Sequence, residues 1–254
     1  MLTILSPAKN LKENIESNAP VLTVPEFLPE AEILINTLRK YSPSKLMKLM
    51  AINPGLAQLN AGRYSRWSLP HDSGSGKPAI LLFNGEVYNG LKAASLNHGE
   101  LEYAQHHLRI LSGLYGVIRP LDIIRAYRLE MGTSLKAGRK KDLYAFWGER
   151  ITECINRELN LHGEKVLLNL ASKEYFAAIN RKKINGRILS CTFKEERNGK
   201  YQFITIFGKK ARGLMARFII RNRIDDPENL KHFDEEGYFF NERTSTENDW
   251  VFTR

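Results

Sequence analysis

Three groups of residues in this chain have types and spacings that could do chemistry. The first is the run Lys209-Lys210-Ala211-Arg212-Gly213-Leu214-Met215-Ala216-Arg217-Phe218-Ile219-Ile220-Arg221. Read as a helix, it sets Lys210, Arg217 and Arg221 within about 40° of one another. Leu214, Phe218, Ala211, Met215 and Ile219 fill the adjoining arc, and Arg212 flanks its far side. An apolar arc packed on a core holds such a stripe along a fixed line. Cations one or two turns apart, roughly 5–11 Å, can follow successive phosphates. A solvated face is the competing reading, but such faces mix signs and no acid interleaves between 209 and 223. The stripe therefore points to a polyanion.

The second group is Ser112-Gly113-Leu114-Tyr115-Gly116, with Arg109 before it and Arg119 and Arg125 after it. Glycines allow close backbone approach, and N–H groups at a helix start attract phosphate. A helix-hairpin-helix element grips DNA in this way, touching consecutive phosphates without reading bases. Its usual pattern is glycine-hydrophobic-glycine, whereas here two residues separate the glycines. The spacing fits equally an ordinary packing turn in which Gly113 caps a helix and Gly116 permits close contact.

The third group is polar and dispersed. Ser6-Pro7-Ala8-Lys9 matches the S-x-x-K pattern of serine acyl enzymes, but the companion motifs are missing. Ser6 reads better as a helix cap with Pro7 at the first helical position. Ser6, Lys9, Arg128, Glu130, Lys173 and Glu174 are the groups that would converge if the chain acts on a small phosphorylated or nucleotide substrate. Ser6, Lys9, Arg128 and Lys173 would hold its anion. No residue set is assigned as catalytic. The six histidines and two cysteines show no HExxH, no Cys/His pattern and no Glu-x-x-His pair, so no metal ligand, structural metal or cofactor is expected. Gly74-Ser75-Gly76-Lys77 precedes a strand instead of following one and is not a P-loop.

The charge of +10 over 254 residues is regional. Residues 1–100 carry 10 Lys+Arg against 8 Asp+Glu, residues 101–223 carry 25 against 11, and residues 224–254 carry 3 against 9. One face meeting a polyanion would produce this imbalance. The acidic tail follows the basic helix directly and either screens it or is simply solvated. No apolar run approaches the length of a membrane span, the amino terminus lacks a signal-peptide pattern, and Cys154 and Cys191 match no disulfide framework. A cytoplasmic protein with no membrane partner is expected.

The elements that must position these groups are short strands mixed with helices. Thr3–Leu5, Ala79–Phe83, Lys165–Leu170, Arg187–Lys194 and a closing Trp250–Phe252 read as strands. Tyr201–Phe207 alternates after the Asn198-Gly199 turn. Ala31–Tyr41, Ser44–Met50, Glu100–Leu111 and Lys209–Ile220 read as helices, with a further helical region after Asn84–Tyr88. Residues 10–29 read as an extended surface connection, and 71–78 as a loop. No repeat or domain linker appears, so the expectation is one α+β (mixed α/β) domain over 1–254, with a doubly wound sheet as the alternative.

Several of these motifs occur together in a known family. Leu5–Lys9, Phe83–Tyr88, Leu108–Asp122, Tyr127–Gly132, Phe146–Gly148, Asn169–Tyr175 and Lys209–Arg217 make the chain resemble, over its full length, the YaaA family of bacterial peroxide-stress proteins. The resemblance implies a cytosolic protein that limits peroxide damage by lowering free intracellular iron. It also implies a family-specific mixed α/β fold with a basic cleft and a helix-hairpin-helix-like element that binds DNA largely without sequence specificity. The hairpin then carries over to Ser112, Gly113, Leu114, Tyr115 and Gly116 with Arg119, and the cleft to Lys209, Lys210, Arg212, Arg217 and Arg221. No family catalytic residue is transferred. The sequence offers no iron ligand set, which makes the iron effect indirect.

Overall fold

The computed structural model describes residues 1–14 and 21–254. Part of the extended connection expected over 10–29 therefore lies outside the described residues.

The molecule is organised around one mixed sheet. Its strands are β1 (Leu2–Leu5), β2 (Leu108–Ser112), β3 (Gly116–Ile118), β4 (Val166–Asn169), β5 (Arg187–Arg197), β6 (Lys200–Gln202), β7 (Phe239–Phe240) and β8 (Asp249–Thr253). The spatial order is β7-β8-β5-β4-β1-β2-β3, with β6 folded back on β5. β8, β5, β4, β1 and β2 run parallel, while β3, β6 and β7 pair antiparallel at the margins. Every residue of β1 and β2 is buried, as expected for parallel strands covered on both faces. The mixed α/β class expected from sequence is what the chain adopts. Its five parallel strands follow the 2-1-3-4-5 order of doubly wound sheets.

The helices that matter for function are α1 (Leu28–Leu38), α2 (Pro43–Met50), α3 (Pro54–Arg66), α4 (Glu86–Leu91), α5 (His98–His107), α6 (Arg150–Leu159) and α7 (Thr205–Asn222). α4 and α7 cross at two glycines. A Cβ on Gly213 would lie 1.8 Å from the Val87 carbonyl oxygen, and one on Gly90 would lie 2.2 Å from that of Lys210. Only glycine at both positions lets the backbones meet so closely. This contact fixes the middle of α7 against α4.

Three expected elements differ. The helix expected over 100–111 ends at His107, and Leu108–Ser112 is a strand. The strand expected at Ala79–Phe83 is a short helix, Ala79–Leu82, followed by an extended Phe83-Asn84 that pairs with Asn10-Leu11. Both errors have one cause: a short, fully buried apolar run carries no periodicity that separates strand from helix. The β pattern read over Tyr201–Phe207 stops at Gln202, and α7 begins at Thr205. Ser6, in addition, caps no helix, because the chain leaves β1 without entering one.

Candidate functional site

In sheets of this order, ligands bind beyond the carboxyl ends of the strands, where successive connections leave in opposite directions. Here that point lies between β1 and β4, since the chain goes from β1 to β2 on one side and later to β4 on the other. A cavity of about 440 Å³ opens there, within the size range of small-molecule sites. The loop after β1 supplies Ser6 and Lys9, and after β4 the loop supplies Ser172 and the short helix Lys173–Phe176 supplies Glu174. The segment 127–130 supplies Tyr127, Arg128 and Glu130, and α7 supplies Lys209 and Arg212.

The two strand-end loops are tied together. Ser6 Oγ accepts from the Ser172 N–H at 2.8 Å and lies 3.3 Å from Ser172 Oγ, while Tyr88 donates its hydroxyl to the Ser6 carbonyl at 3.1 Å. Lys9 pairs not with Ser6 but with Glu130 at 2.7 Å, and Arg128 holds the other Glu130 oxygen at 2.9 Å. Among the described residues Ser6 therefore has no hydrogen bond to the activating base that a serine nucleophile requires. Glu174 accepts from the Gly132 N–H at 2.8 Å through one oxygen. Tyr88, Tyr127 and Tyr175 line the floor, and burial raises all three phenols; the Tyr127 hydroxyl is engaged with Ser112 Oγ at 2.6 Å.

Arg212 stands apart. Among the described residues it makes no hydrogen bond or ion pair, and its Nε is buried without a partner. Its guanidinium lies 5.9 Å from the Phe203 ring, and burial lowers its pKa. An unpaired, largely desolvated cation is costly unless an anion completes it. Lys209 beside it is exposed and makes no ion pair among the described residues. Of the sequence-derived cleft residues, Ser6, Lys9 and Arg128 meet here with Glu130 and Glu174, whereas Lys173 is exposed and stays outside the lining. Lys209 and Arg212, read from sequence as part of a polyanion surface, belong to this cavity. The position of Arg212 across the apolar arc from Arg217 and Arg221 is the signal that sets it apart. The floor tyrosines give none, since buried tyrosines are common.

The two other groups of expected DNA contacts lie apart from this cavity's lining. Ser112–Gly116 is the turn of a β-hairpin, β2 to β3, and not a helix-hairpin-helix. Ser112, Gly113, Leu114, Tyr115 and Gly116 are all buried. The Leu114 and Tyr115 N–H groups donate to Ser112 Oγ at 3.2 and 2.9 Å. A Cβ on Gly116, at φ +68°, would lie 2.8 Å from the Trp147 ring, and one on Gly113 would lie 2.4 Å from the Leu129 carbonyl oxygen. Both glycines serve packing, and the amides are spent internally. Arg119 pairs with Asp122 at 3.0 Å and donates to the Val24 carbonyl.

The basic stripe on α7 is likewise engaged. Lys210 pairs with Glu236 at 2.6 Å and Arg221 with Glu100 at 3.5 Å. Arg217 donates to the Leu91 and Lys92 carbonyls at the end of α4, at 3.1 and 3.2 Å. The acidic tail thus reaches the basic helix through Glu236.

A short connection between two helices occurs instead at α2 and α3. Ala51 takes a left-handed conformation at φ 50°, Ile52 is buried, and Asn53 caps α3 by accepting from the Leu56 N–H at 2.8 Å. Asn53, Pro54 and Gly55 are exposed, as are Lys45 and Lys48 on α2, which make no ion pair among the described residues. Among the described residues no helix is long and apolar enough to cross a membrane.

Residues 1–244 match the sequence profile of the family described as peroxide stress protein YaaA. A UPF0246 protein of Alteromonas mediterranea is 50% identical, the alignment covering 100% of this chain and 98% of the relative. A UPF0246 protein of Magnetococcus marinus is 48% identical over 100% and 99% of the two chains. One from Neisseria meningitidis serogroup B is 46% identical over 100% and 98%.

Proposed function

The chain belongs to the peroxide stress protein YaaA family, and for this member we propose that the cavity between β1 and β4 binds, and acts on, a phosphorylated small molecule of nucleotide size. The observation that carries this reading is Arg212, without a hydrogen bond or ion pair among the described residues, in a cavity at the switch point of the sheet. Arg212 and Lys209 take the phosphate. Asn84 takes a polar group of the remainder, and Glu174, with one oxygen unengaged among the described residues, is the group available to accept a proton. Among the described residues the lining holds no histidine or cysteine, so the cavity itself offers no iron ligands, and any effect of its reaction on free iron runs through the compound consumed or produced. A cytoplasmic location fits such a substrate and the two free, buried cysteines.

The test is a thermal-shift and calorimetric panel of inorganic phosphate, pyrophosphate and nucleoside mono-, di- and triphosphates against the wild type and Arg212→Met. Saturable stabilisation of the wild type by one phosphorylated class, lost in the variant, supports the proposal. Equal response of the two proteins, or none, overturns it.

A second reading is favoured by the α2–α3 turn. DNA backbone would meet the Gly55 N–H, since Pro54 has none, with the exposed Lys45 and Lys48 of the preceding helix, at the positive end of the α3 dipole. Such binding ignores sequence and weakens steeply with salt. An anisotropy titration that finds no salt-dependent affinity for duplex DNA removes this reading and leaves the cavity proposal standing.

A further inference from the structure

We infer that His107, His162 and Asp225 form a binding site for a first-row divalent transition-metal ion at the amino ends of β1, β2 and β4. One donor atom from each residue lies within 4.8 Å of the other two. The three come from distant parts of the chain. His107 ends α5 immediately before β2, His162 lies in the turn between α6 and β4, and Asp225 follows α7. The parallel sheet gathers them because the amino ends of its central strands lie side by side.

The set is chemically coherent. Two imidazoles and one carboxylate suit zinc, iron(II) and their neighbours, in contrast to the all-oxygen ligation of magnesium or calcium. His107 Nδ1 lies 3.3 Å from Asp225 Oδ1, and the two imidazole centroids are 4.8 Å apart. Ligands around an ion at bond lengths of about 2.1 Å stand roughly 3–4 Å apart, so small side-chain rotations close the site. Asp225 is exposed, and the histidines are half-buried. The ion thus has an entry path, and three protein donors leave coordination positions for water.

Supporting contacts hold the donors. Tyr103 stacks on the His107 ring at 3.9 Å and 6° and donates its hydroxyl to the Ile224 carbonyl at 2.8 Å, next to Asp225. Partners of this kind orient metal ligands. The Met1 amino group, 2.8 Å from Asp225 Oδ1, now occupies the carboxylate. A metal ion displaces it or recruits it as a further nitrogen donor.

The site is distinct from the cleft, which lies at the other end of the same strands, about 13 Å away along four residues of β1. The experiment is titration of the full-length, amino-terminally untagged protein with Co(II), followed by visible absorption and then by displacement with Zn(II). One equivalent of Co(II) with ligand-field bands that Zn(II) abolishes is the expected result. The His107→Ala/His162→Ala double variant is expected to lose about a hundredfold or more in Zn(II) affinity, beyond the loss typical of supporting residues. His106→Ala, an exposed histidine on the same helix, is expected to leave it unchanged. No Co(II) band in the wild type, or equal Zn(II) affinity in the double variant, overturns the inference. Should the double variant fail to fold, Asp225→Asn decides, and unchanged Zn(II) affinity in that variant is equally fatal.

Discussion

The two ends of the central parallel strands differ in kind. At the carboxyl ends of β1 and β4 the cavity is lined by lysine, arginine, glutamate, tyrosine and serine, without histidine or cysteine among the described residues. At the amino ends of β1, β2 and β4, donor atoms of two imidazoles and a carboxylate stand within 4.8 Å of one another. The first set suits phosphate, which wants cations and N–H donors. The second suits a borderline metal, which wants nitrogen lone pairs. One sheet positions both because parallel strands bring all their starts to one edge and all their ends to the other. Two sites placed by one scaffold should be separable by mutation, and that is where the comparison is vulnerable.

The strongest break is at the α4–α7 crossing. Gly213→Ala places a methyl group 1.8 Å from the Val87 carbonyl oxygen, where backbone must move to accommodate it. Overpacking of this severity is expected to cost roughly 3 kcal/mol or more, seen as a lowered urea midpoint. Because α7 carries Lys209 and Arg212, phosphate-ligand binding should fall in the protein that remains folded. Co(II) binding at the amino ends should persist below the new midpoint. If both ends fail together while the protein is folded, they are one cooperative unit and the two sites are not separable.

Arg212→Met sharpens the same contrast with opposite signs. Loss of a charge-assisted hydrogen bond should weaken the phosphorylated ligand by about 2 kcal/mol, roughly thirtyfold. Removal of a desolvated, unpaired cation should at the same time raise unfolding stability by about 1 kcal/mol, since apolar packing replaces a buried charge without sacrificing an ion pair. Calorimetry and urea denaturation on one preparation measure both. A destabilised variant would mean that Arg212 has a structural partner in solution and does not wait for a ligand.

The difference between the ends also explains what can be read from the sequence. The carboxyl-end residues sit in continuous motifs, Ser6–Lys9, Tyr127–Gly132 and Lys209–Arg217, because loops after strands gather several functional side chains in a few positions. They are legible as groups, although the helical spacing reads Arg212 as part of a polyanion stripe and Lys173 is grouped with the cleft; in the fold Arg212 lines the cavity and Lys173 lies outside its lining. The amino-end residues are single histidines and an aspartate at element junctions, and local spacing carries no trace of them. Their proximity depends on sheet order, which one chain does not disclose. The hairpin at 112–116 misleads for another reason. Its glycines mark close approach in either reading, and only burial by Trp147 and Leu129 decides that the neighbour is protein and not phosphate.

A smaller effect concerns which cations remain free for DNA. Lys45→Glu with Lys48→Glu, beside the α2–α3 turn, should weaken duplex binding and reduce the slope of log affinity against log salt by about one for each phosphate no longer neutralised. Arg217→Gln with Arg221→Gln should leave the slope nearly unchanged, because those side chains already serve Leu91, Lys92 and Glu100. The reverse pattern in an anisotropy titration would return the α7 stripe to the DNA interface.

The smallest effect expected is at Glu236, where the acidic tail meets the cleft end of α7. Its carboxyl is lowered, first by the hydrogen bond from Lys210 and further by Arg254. A group lowered on folding contributes stability above its unfolded pKa, and that contribution disappears as pH falls through the folded value. The pair is about one-third exposed, so solvent screening limits it to about 0.5 kcal/mol. Glu236→Gln should therefore lower the urea midpoint slightly at pH 7, and the difference from wild type should shrink as pH drops below about 4.5. Sodium chloride at about 1 M should diminish the same difference at neutral pH, since screening weakens exposed pairs. The variant also releases Lys210. If phosphate-ligand affinity rises with it, the tail restrains the carboxyl-end site; if affinity is unchanged, the tail packs beside that site without regulating it.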